Sequence, residues 1–512
     1  MGTRWETYCD MGFHAFLRTA GRWRDALADP ARRERAVLVS LAVYMLLWVA
    51  YGTIAKSSQG FHPDMTEVIA WSRDLSLGHV KHPPFAAWLV RLWFTVFPIA
   101  GWSYYLLAML MPAVTLWIVW RMSAGYLDAD KRIVGIALLT FVPFFNFHAL
   151  KYNVNTALLP LWAATTWFFL MSVRTRRTLW AVLAGVAAAC AMLGKYWSIF
   201  LLAGLAVAAL VDRRRADYFR SAAPWITIMA GFIMLAPHLL WLVDTEFESF
   251  SYALLVHGEK PLADTVVAAL AYIAGAFGYV ALPLAIAYAI TRPGLKALSD
   301  TLWPQETERR LVAAAFWGPL LLPAIVAVVA GAEITSLWSM PAFSLLPVLL
   351  FSSPALAIRG LDTRRILLGA AALPIIMLVV SPLVTIAAQR AGPSPAGAQA
   401  SLLAGEVERL WFQATPQPLR FIGGDADLAY EVAAYAADRP HALTGMPPRP
   451  ANELAQSGFV WICFAEDPIC RRKGAARGGP AAKQVETEIV RNFLRFAGKP
   501  QRYTIFIVPP RP

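Results

Sequence analysis

The residues best suited to chemistry lie in one polar stretch, Gly60-Phe61-His62-Pro63-Asp64-Met65-Thr66-Glu67, continuing through Trp71-Ser72-Arg73-Asp74 to His79-Val80-Lys81-His82-Pro83-Pro84. It follows directly on the first strongly apolar segment and is the longest polar interruption of the apolar first half. A connector between two spans needs only a few residues, so its length and titratable content indicate a site or an ordered lid. Asp64 and Glu67 lie three apart and share a face if a helix begins at Pro63, a residue suited to a first helical turn. A carboxylate there, beside a membrane, is either a general base for a hydroxyl or an acidic residue that favours the helix dipole. Lys81 and His82 stand before two prolines that fix their direction. Cations at that depth suit a lipid phosphate or simply snorkel.

The surroundings are those of a membrane protein. The 512 residues are 58% hydrophobic and only 15% charged, against roughly 25% charged in soluble domains, and mean hydropathy is +0.50. The net charge of +13 comes from short Arg clusters between apolar segments, the pattern of membrane loops rather than of nucleic-acid binding. Cys9, Cys190, Cys463 and Cys470 make neither a disulfide scaffold nor a zinc pattern. The polar Arg18–Arg35 stretch, with no small-residue cleavage site after it, does not fit a signal peptide.

About eleven spans of suitable length are expected, near 36–55, 102–121, 132–149, 153–173, 179–193, 197–211, 223–243, 265–290, 311–330, 335–351 and 366–388. Residues 85–99 read as a helix lying in the interface. An Arg-rich amphipathic segment (1–35) starts inside. Every loop then expected inside is a basic cluster: Arg121/Lys131/Arg132, Arg174/Arg176/Arg177, Arg213/Arg214/Arg215/Arg220, Arg292/Lys296/Arg309/Arg310 and Arg359/Arg364/Arg365. The opposite loops hold isolated charges, Lys151, Lys195, Lys260 and Glu333. The positive-inside rule therefore puts the 57–84 loop, and the C-terminal region, outside. Treating 85–99 as a twelfth span would invert every later loop.

Five polar groups converge on that outer face. Besides the long loop there are Lys151 with Asn155, Lys195 and Tyr196 in a tight turn, Glu333 with Ser336 and Trp338, and Glu246, Glu248, His257 and Lys260. Each alone is more often structural, but their convergence favours a site. No P-loop, dinucleotide fingerprint or nucleophile elbow occurs, and His62, Asp64 and His79 fit no standard metal spacing.

After residue 388 a linker and an amphipathic helix (Leu402 to Trp411) lead to apolar runs at 419–422, 459–463 and 503–508. Helical patterns at 427–437 and 481–497 lie between them. This reads as a small α/β domain outside the membrane, residues 389–512. An oxidising compartment permits a Cys463–Cys470 disulfide, which spacing alone does not decide.

The motifs Asp64-Met65, Trp71-Ser72, Leu77-Gly78-His79 and His82-Pro83-Pro84 resemble the first outer loop of the GT-C polytopic glycosyltransferases. The likeness is to bacterial members of glycosyltransferase family 39, related to protein O-mannosyltransferases and lipid A aminoarabinose transferases. It continues through 153–160, 193–197, 336–341 and Gly423-Gly424-Asp425. The resemblance implies an all-α polytopic membrane domain over 36–388, with its catalytic loop at 57–101, and a small C-terminal α/β domain. It implies inverting transfer of a sugar from a polyprenyl-phosphate donor to a lipid, glycan or protein hydroxyl, on the periplasmic side of the bacterial inner membrane, with no cofactor or metal. Asp64 would be the base. The second acid of the usual pair is Met65 here, which leaves its supporting role to Glu67 or to no residue. Lys195 would hold the carrier phosphate, with Lys81 and His82 near it and Tyr196, Lys151, Asn155 and Trp338 completing the substrate site. A rival from another class is an envelope lipid or saccharide transporter, whose signature would be an inverted repeat and ionisable mid-membrane residues. No repeat is visible. His148 and His238 are the notable candidates, the latter reading as a helix-end residue.

Overall fold

The computed structural model describes residues 23, 25–258, 260–392, 399–446 and 449–511. Much of the Arg-rich N-terminal segment, Cys9 and part of the linker lie outside them. All eleven apolar segments contain helix, but not all are single helices of spanning length. Among the described residues, seven helices are long and apolar enough to cross a membrane: Pro30–Ala55, Gly101–Ser123, Val154–Thr175, Ala223–Asp244, Leu262–Thr291, Thr307–Ala330 and Gly360–Ala391. The other four are shorter. The segment expected at 132–149 is α-helical only over Ala129–Leu139, then a 3-10 turn at Pro143–Phe145, because Pro143 cannot donate into a continuing helix. Thr178–Gly194 and Ile199–Val211 are separated by Lys195 and a 3-10 turn. Ser336–Leu345 is a 3-10 stretch with Pro341 inside it before the short helix Leu346–Phe351. Phe85–Val96 is a twelve-residue apolar helix, too short to span.

Contacts sort the loops onto two ends of the bundle. At one end Arg121 meets Glu34 at 3.2 Å, Arg214 meets Glu308, and Arg309 meets Asp300 at 2.7 Å. At the other, Lys151 meets Asp64 at 3.2 Å, Lys195 donates to Asn155 at 2.9 Å, and Lys260 lies 3.5 Å from Glu333. The basic clusters and the isolated charges thus occupy opposite ends, as the sequence pattern requires.

The C-terminal region is a five-stranded sheet in the order β2-β1-β3-β7-β4. Its strands are β1 Phe421–Gly424, β2 His441–Ala442, β3 Phe459–Phe464, β4 Lys483–Ile489 and β7 Gln501–Val508, and β5 Asn492–Phe493 pairs with β6 Phe496–Ala497 separately. β1 runs parallel to β2 and β3, while β7 is antiparallel to β3 and β4. Alternation in β3 explains its near-continuous apolar run. Val460 and Ile462 pack with Leu403, Val407, Leu428 and Val432 on one face; Phe459, Trp461 and Cys463 pack with Cys470 and Phe506 on the other. Cys463 and Cys470 are disulfide-bonded, tying β3 to the helix Pro468–Gly478. The helix expected at 481–497 is wrong. That segment is β4 followed by the β5–β6 hairpin. Val485 and Ile489 have helical i, i+4 spacing, but with Thr487 they also alternate, and pairing with β7 decides between the two periods.

Candidate active site

A helix does begin at Pro63 and runs to Trp71. His62 caps it, its Nδ1 accepting from the Asp64 N–H at 3.2 Å, and the Tyr104 hydroxyl donates to the Met65 carbonyl at 3.0 Å. Asp64 and Glu67 face a cavity of about 530 Å³. All nine sequence-derived site residues line it: Asp64, Glu67, Lys81, His82, Lys151, Asn155, Lys195, Tyr196 and Trp338.

Each carboxylate has its own cation. Asp64 lies 3.2 Å from the Lys151 ammonium and accepts from the Asn153 amide at 2.8 Å. The Asn153 side-chain oxygen (Oδ1) meanwhile caps the helix Val154–Thr175 by accepting from the Asn155 and Thr156 N–H groups. Asn153 was legible as part of a polar group but not as a partner of Asp64. Burial alone would raise the Asp64 carboxyl; Lys151, Asn153 and His62 together outweigh it and hold it below its ordinary value. Asp64 is therefore ionised at neutral pH, the state a general base needs. Lys81 donates to both oxygens of Glu67, at 3.0 and 3.2 Å. Burial pushes the Glu67 carboxyl up to about 7 against that pull, and Asp64 and Asp427 push the same way.

Lys195 differs from both. Its ammonium donates to Asn155 and lies 4.5 Å from the centre of the Trp338 ring, and among the described residues it makes no ion pair. Burial drives it down to about 7, Lys81 adds to that, and Asp64 opposes it. His82 is half-buried in the cavity wall, and desolvation with the neighbouring Lys195 and Lys81 holds it well below its ordinary value, so it is neutral. With His82 neutral and Lys81 held by Glu67, Lys195 is the cation whose charge the protein leaves unmatched. Among the described residues, no three of His, Cys, Asp and Glu gather as a metal-ligand group.

The rest of the loop is pinned to the bundle. His79 stacks on Trp71, ring centres 5.0 Å apart, and the Ser249 hydroxyl donates to its carbonyl at 2.9 Å. His238 lies inside Ala223–Asp244, not at its end as expected. Its Nδ1 contacts the Leu77 carbonyl at 2.6 Å and its Nε2 the Tyr196 hydroxyl at 3.1 Å. With Nδ1 protonated, one ring links the loop to the Lys195 turn. Gly78 permits this docking, since a Cβ there would lie 2.2 Å from the Trp241 ring.

The sheet domain grips the same helix. The Phe61 N–H donates to the Tyr435 hydroxyl at 2.8 Å, and the two rings stack with centres 5.2 Å apart. Ala70 packs into the domain's own core, and Arg449 lies 3.4 Å from Asp74. Tyr435→Phe keeps the stack and removes the hydroxyl from a buried N–H, a loss of about 1–2 kcal/mol. We expect faster amide exchange across residues 61–66 with little change in melting temperature. Unchanged protection there would show that the domain does not hold the helix.

Residues 81–241 match the family described as dolichyl-phosphate-mannose-protein mannosyltransferase. The match includes Lys81, His82, Lys151, Asn155, Lys195 and Tyr196 but begins after Asp64 and Glu67. The lipopolysaccharide core galacturonosyltransferase RgtB of Rhizobium johnstonii is 25% identical over 341 residues, which are 63% of this chain and 66% of RgtB. The chain thus spans about two thirds of that curated relative. ArnT from Cupriavidus metallidurans bound to undecaprenyl phosphate superposes with a TM-score of 0.61 at 14% identity, over 92% of this chain and 97% of ArnT. Its apo form gives 0.60 at 13%, over 94% and 100%. From the matched segment and the shared architecture together, the chain is a polytopic protein with the fold of ArnT, and its residues 81–241 match the dolichyl-phosphate-mannose-protein mannosyltransferase family.

Proposed function

We propose that the protein is an inverting glycosyltransferase that moves a sugar from a polyprenyl-phosphate carrier to a hydroxyl of an envelope lipid or glycan. The observation that carries this reading is the pairing inside one cavity of an ionised, doubly held Asp64 with an unmatched Lys195. Asp64 accepts the proton of the acceptor hydroxyl. The freed oxygen attacks the anomeric carbon, the bond from that carbon to the phosphate oxygen breaks, and the phosphate leaves with the electron pair. Its new negative charge develops beside Lys195, which stabilises it electrostatically. Phe200, Pro323, Val326 and Leu337 give the cavity an apolar flank, suited to the first isoprene units of a carrier. The undecaprenyl phosphate bound to ArnT supports such a donor, and the lipopolysaccharide-core activity named for RgtB supports an envelope lipid or glycan as acceptor. The arginine asymmetry between the loops and the Cys463–Cys470 disulfide both support a periplasmic site in the inner membrane.

The test is to incubate the purified full chain with bacterial membrane lipid extract, as source of donor and acceptor, and to follow products by mass spectrometry. A product one sugar residue heavier than its acceptor is expected. Movement of substrate across a proteoliposome membrane with no new glycosidic bond would establish the transporter instead.

A further inference from the structure

A second polar cavity, of about 720 Å³, opens at the opposite end of the bundle, between the C-terminus of Leu262–Thr291 and the N-terminus of Gly360–Ala391. Its mouth carries Arg292, Arg359 and Arg365 with a single carboxylate, Asp362. Arg365 lies 3.5 Å from Asp362, while Arg292 and Arg359 make no ion pair or side-chain hydrogen bond among the described residues. Arg359 is the N-cap of a 32-residue helix and makes no side-chain capping bond. A cation there faces the positive end of the helix dipole, which disfavours it unless an anion sits alongside. Inward the walls become apolar, with Phe141, Ile286 and Ile366, and the slot ends at Gly369. Gly369 lies ten residues along the helix from Arg359, a depth of about 15 Å at 1.5 Å per residue.

Cations at the rim and apolar walls below them, between two spanning helices, match one ligand chemistry: a phosphate head on a hydrocarbon chain. We infer that this crevice binds an anionic phospholipid of the adjoining leaflet, its head group on Arg292 and Arg359 and part of an acyl chain in the slot. The positive-inside rule accounts for arginines at this end. It does not account for three of them lining one cavity with a single carboxylate, above apolar walls. The inference is independent of sugar transfer, and its test needs no activity.

The full chain in mild detergent is titrated with phosphatidylglycerol or phosphatidylcholine, and retained lipid is counted by native mass spectrometry. Wild type is expected to prefer phosphatidylglycerol, and the Arg292→Gln/Arg359→Gln variant to retain about thirtyfold less, at roughly fivefold per arginine removed. Arg174→Gln/Arg177→Gln, in another basic loop of the same end, is expected to match wild type. Gly369→Leu fills the slot next to Phe141, whose ring tip would lie 3.3 Å from the new Cβ, and leaves the arginines in place. It is expected to lose the lipid too. Equal losses from both arginine pairs would reduce the effect to diffuse charge and overturn the site. So would Gly369→Leu binding like wild type, or inorganic phosphate displacing the lipid as effectively as phosphatidylglycerol itself, which would make the rim a free-anion site.

Discussion

Asp64→Asn is expected to lower the rate of sugar transfer by roughly 10²- to 10⁴-fold, the range a positioned general base contributes, while leaving the protein folded. The amide is isosteric and its oxygen can still accept from the Asn153 side chain, now 2.8 Å from the carboxylate, so the helix Pro63–Trp71 keeps that anchor. What disappears is the charge that takes the proton. Lys151 loses its ion partner, which costs stability modestly because both side chains are partly exposed. Glu67→Gln should be milder, within roughly tenfold, because Glu67 is already spent on Lys81 and sits near 7 rather than fully ionised. The acid limb of the wild-type rate profile should lie below the ordinary carboxylate range, since the folded site depresses Asp64. The decisive comparison is the pair of variants under single turnover. If Asp64→Asn turns over like wild type and Glu67→Gln does not, the two carboxylates exchange roles.

That assignment divides into what sequence could and could not carry. Pro63 before an i, i+3 acid pair put Asp64 and Glu67 on one helical face, and the helix starts where proline chemistry says it should. Loop charge asymmetry put Lys151, Lys195, Lys260 and Glu333 at one end, where their contacts occur. Pairing was not legible. Lys151 and Asp64 are 87 positions apart, and nothing in their spacing says that Lys151 takes Asp64 while Lys81 takes Glu67. Yet the pairing leaves Lys195 as the unmatched cation. Nor was the grip of the sheet domain legible, because the Phe61–Tyr435 bond joins positions 374 apart and both residues pass as ordinary aromatics. Residues 481–497 misled for a local reason, since Val485 and Ile489 satisfy the helical and the alternating period alike until β7 supplies a partner. What composition could not show is that prolines and 3-10 turns break segments it reads as continuous.

Lys195→Met is expected to reduce kcat/KM for the lipid-linked donor by roughly 10²-fold or more, the scale of losing a buried charged contact to a developing anion. Methionine retains the length and the contact with the Trp338 ring but carries no charge. The wild-type pH dependence separates this role from mere packing. In the empty cavity burial holds Lys195 near 7, so above that pH the free enzyme loses the ammonium. A bound phosphate favours the charged form and raises its pKa. Donor binding above neutrality therefore takes up a proton, and the donor KM should rise up to about tenfold per pH unit above 7 until the bound-state pKa is passed. Below 7 it should be flat on this account. Glu67 titrates in the same region, and its ionisation would also repel the phosphate. Glu67→Gln removes that contribution and should keep most of the slope, whereas Lys195→Met should flatten it at a uniformly high KM. A slope that survives in Lys195→Met and vanishes in Glu67→Gln would transfer phosphate recognition to the Lys81–Glu67 pair. Lys81 would then have to leave Glu67 when the donor arrives, and breaking that pair with Glu67→Gln would tighten donor binding rather than leave it unchanged.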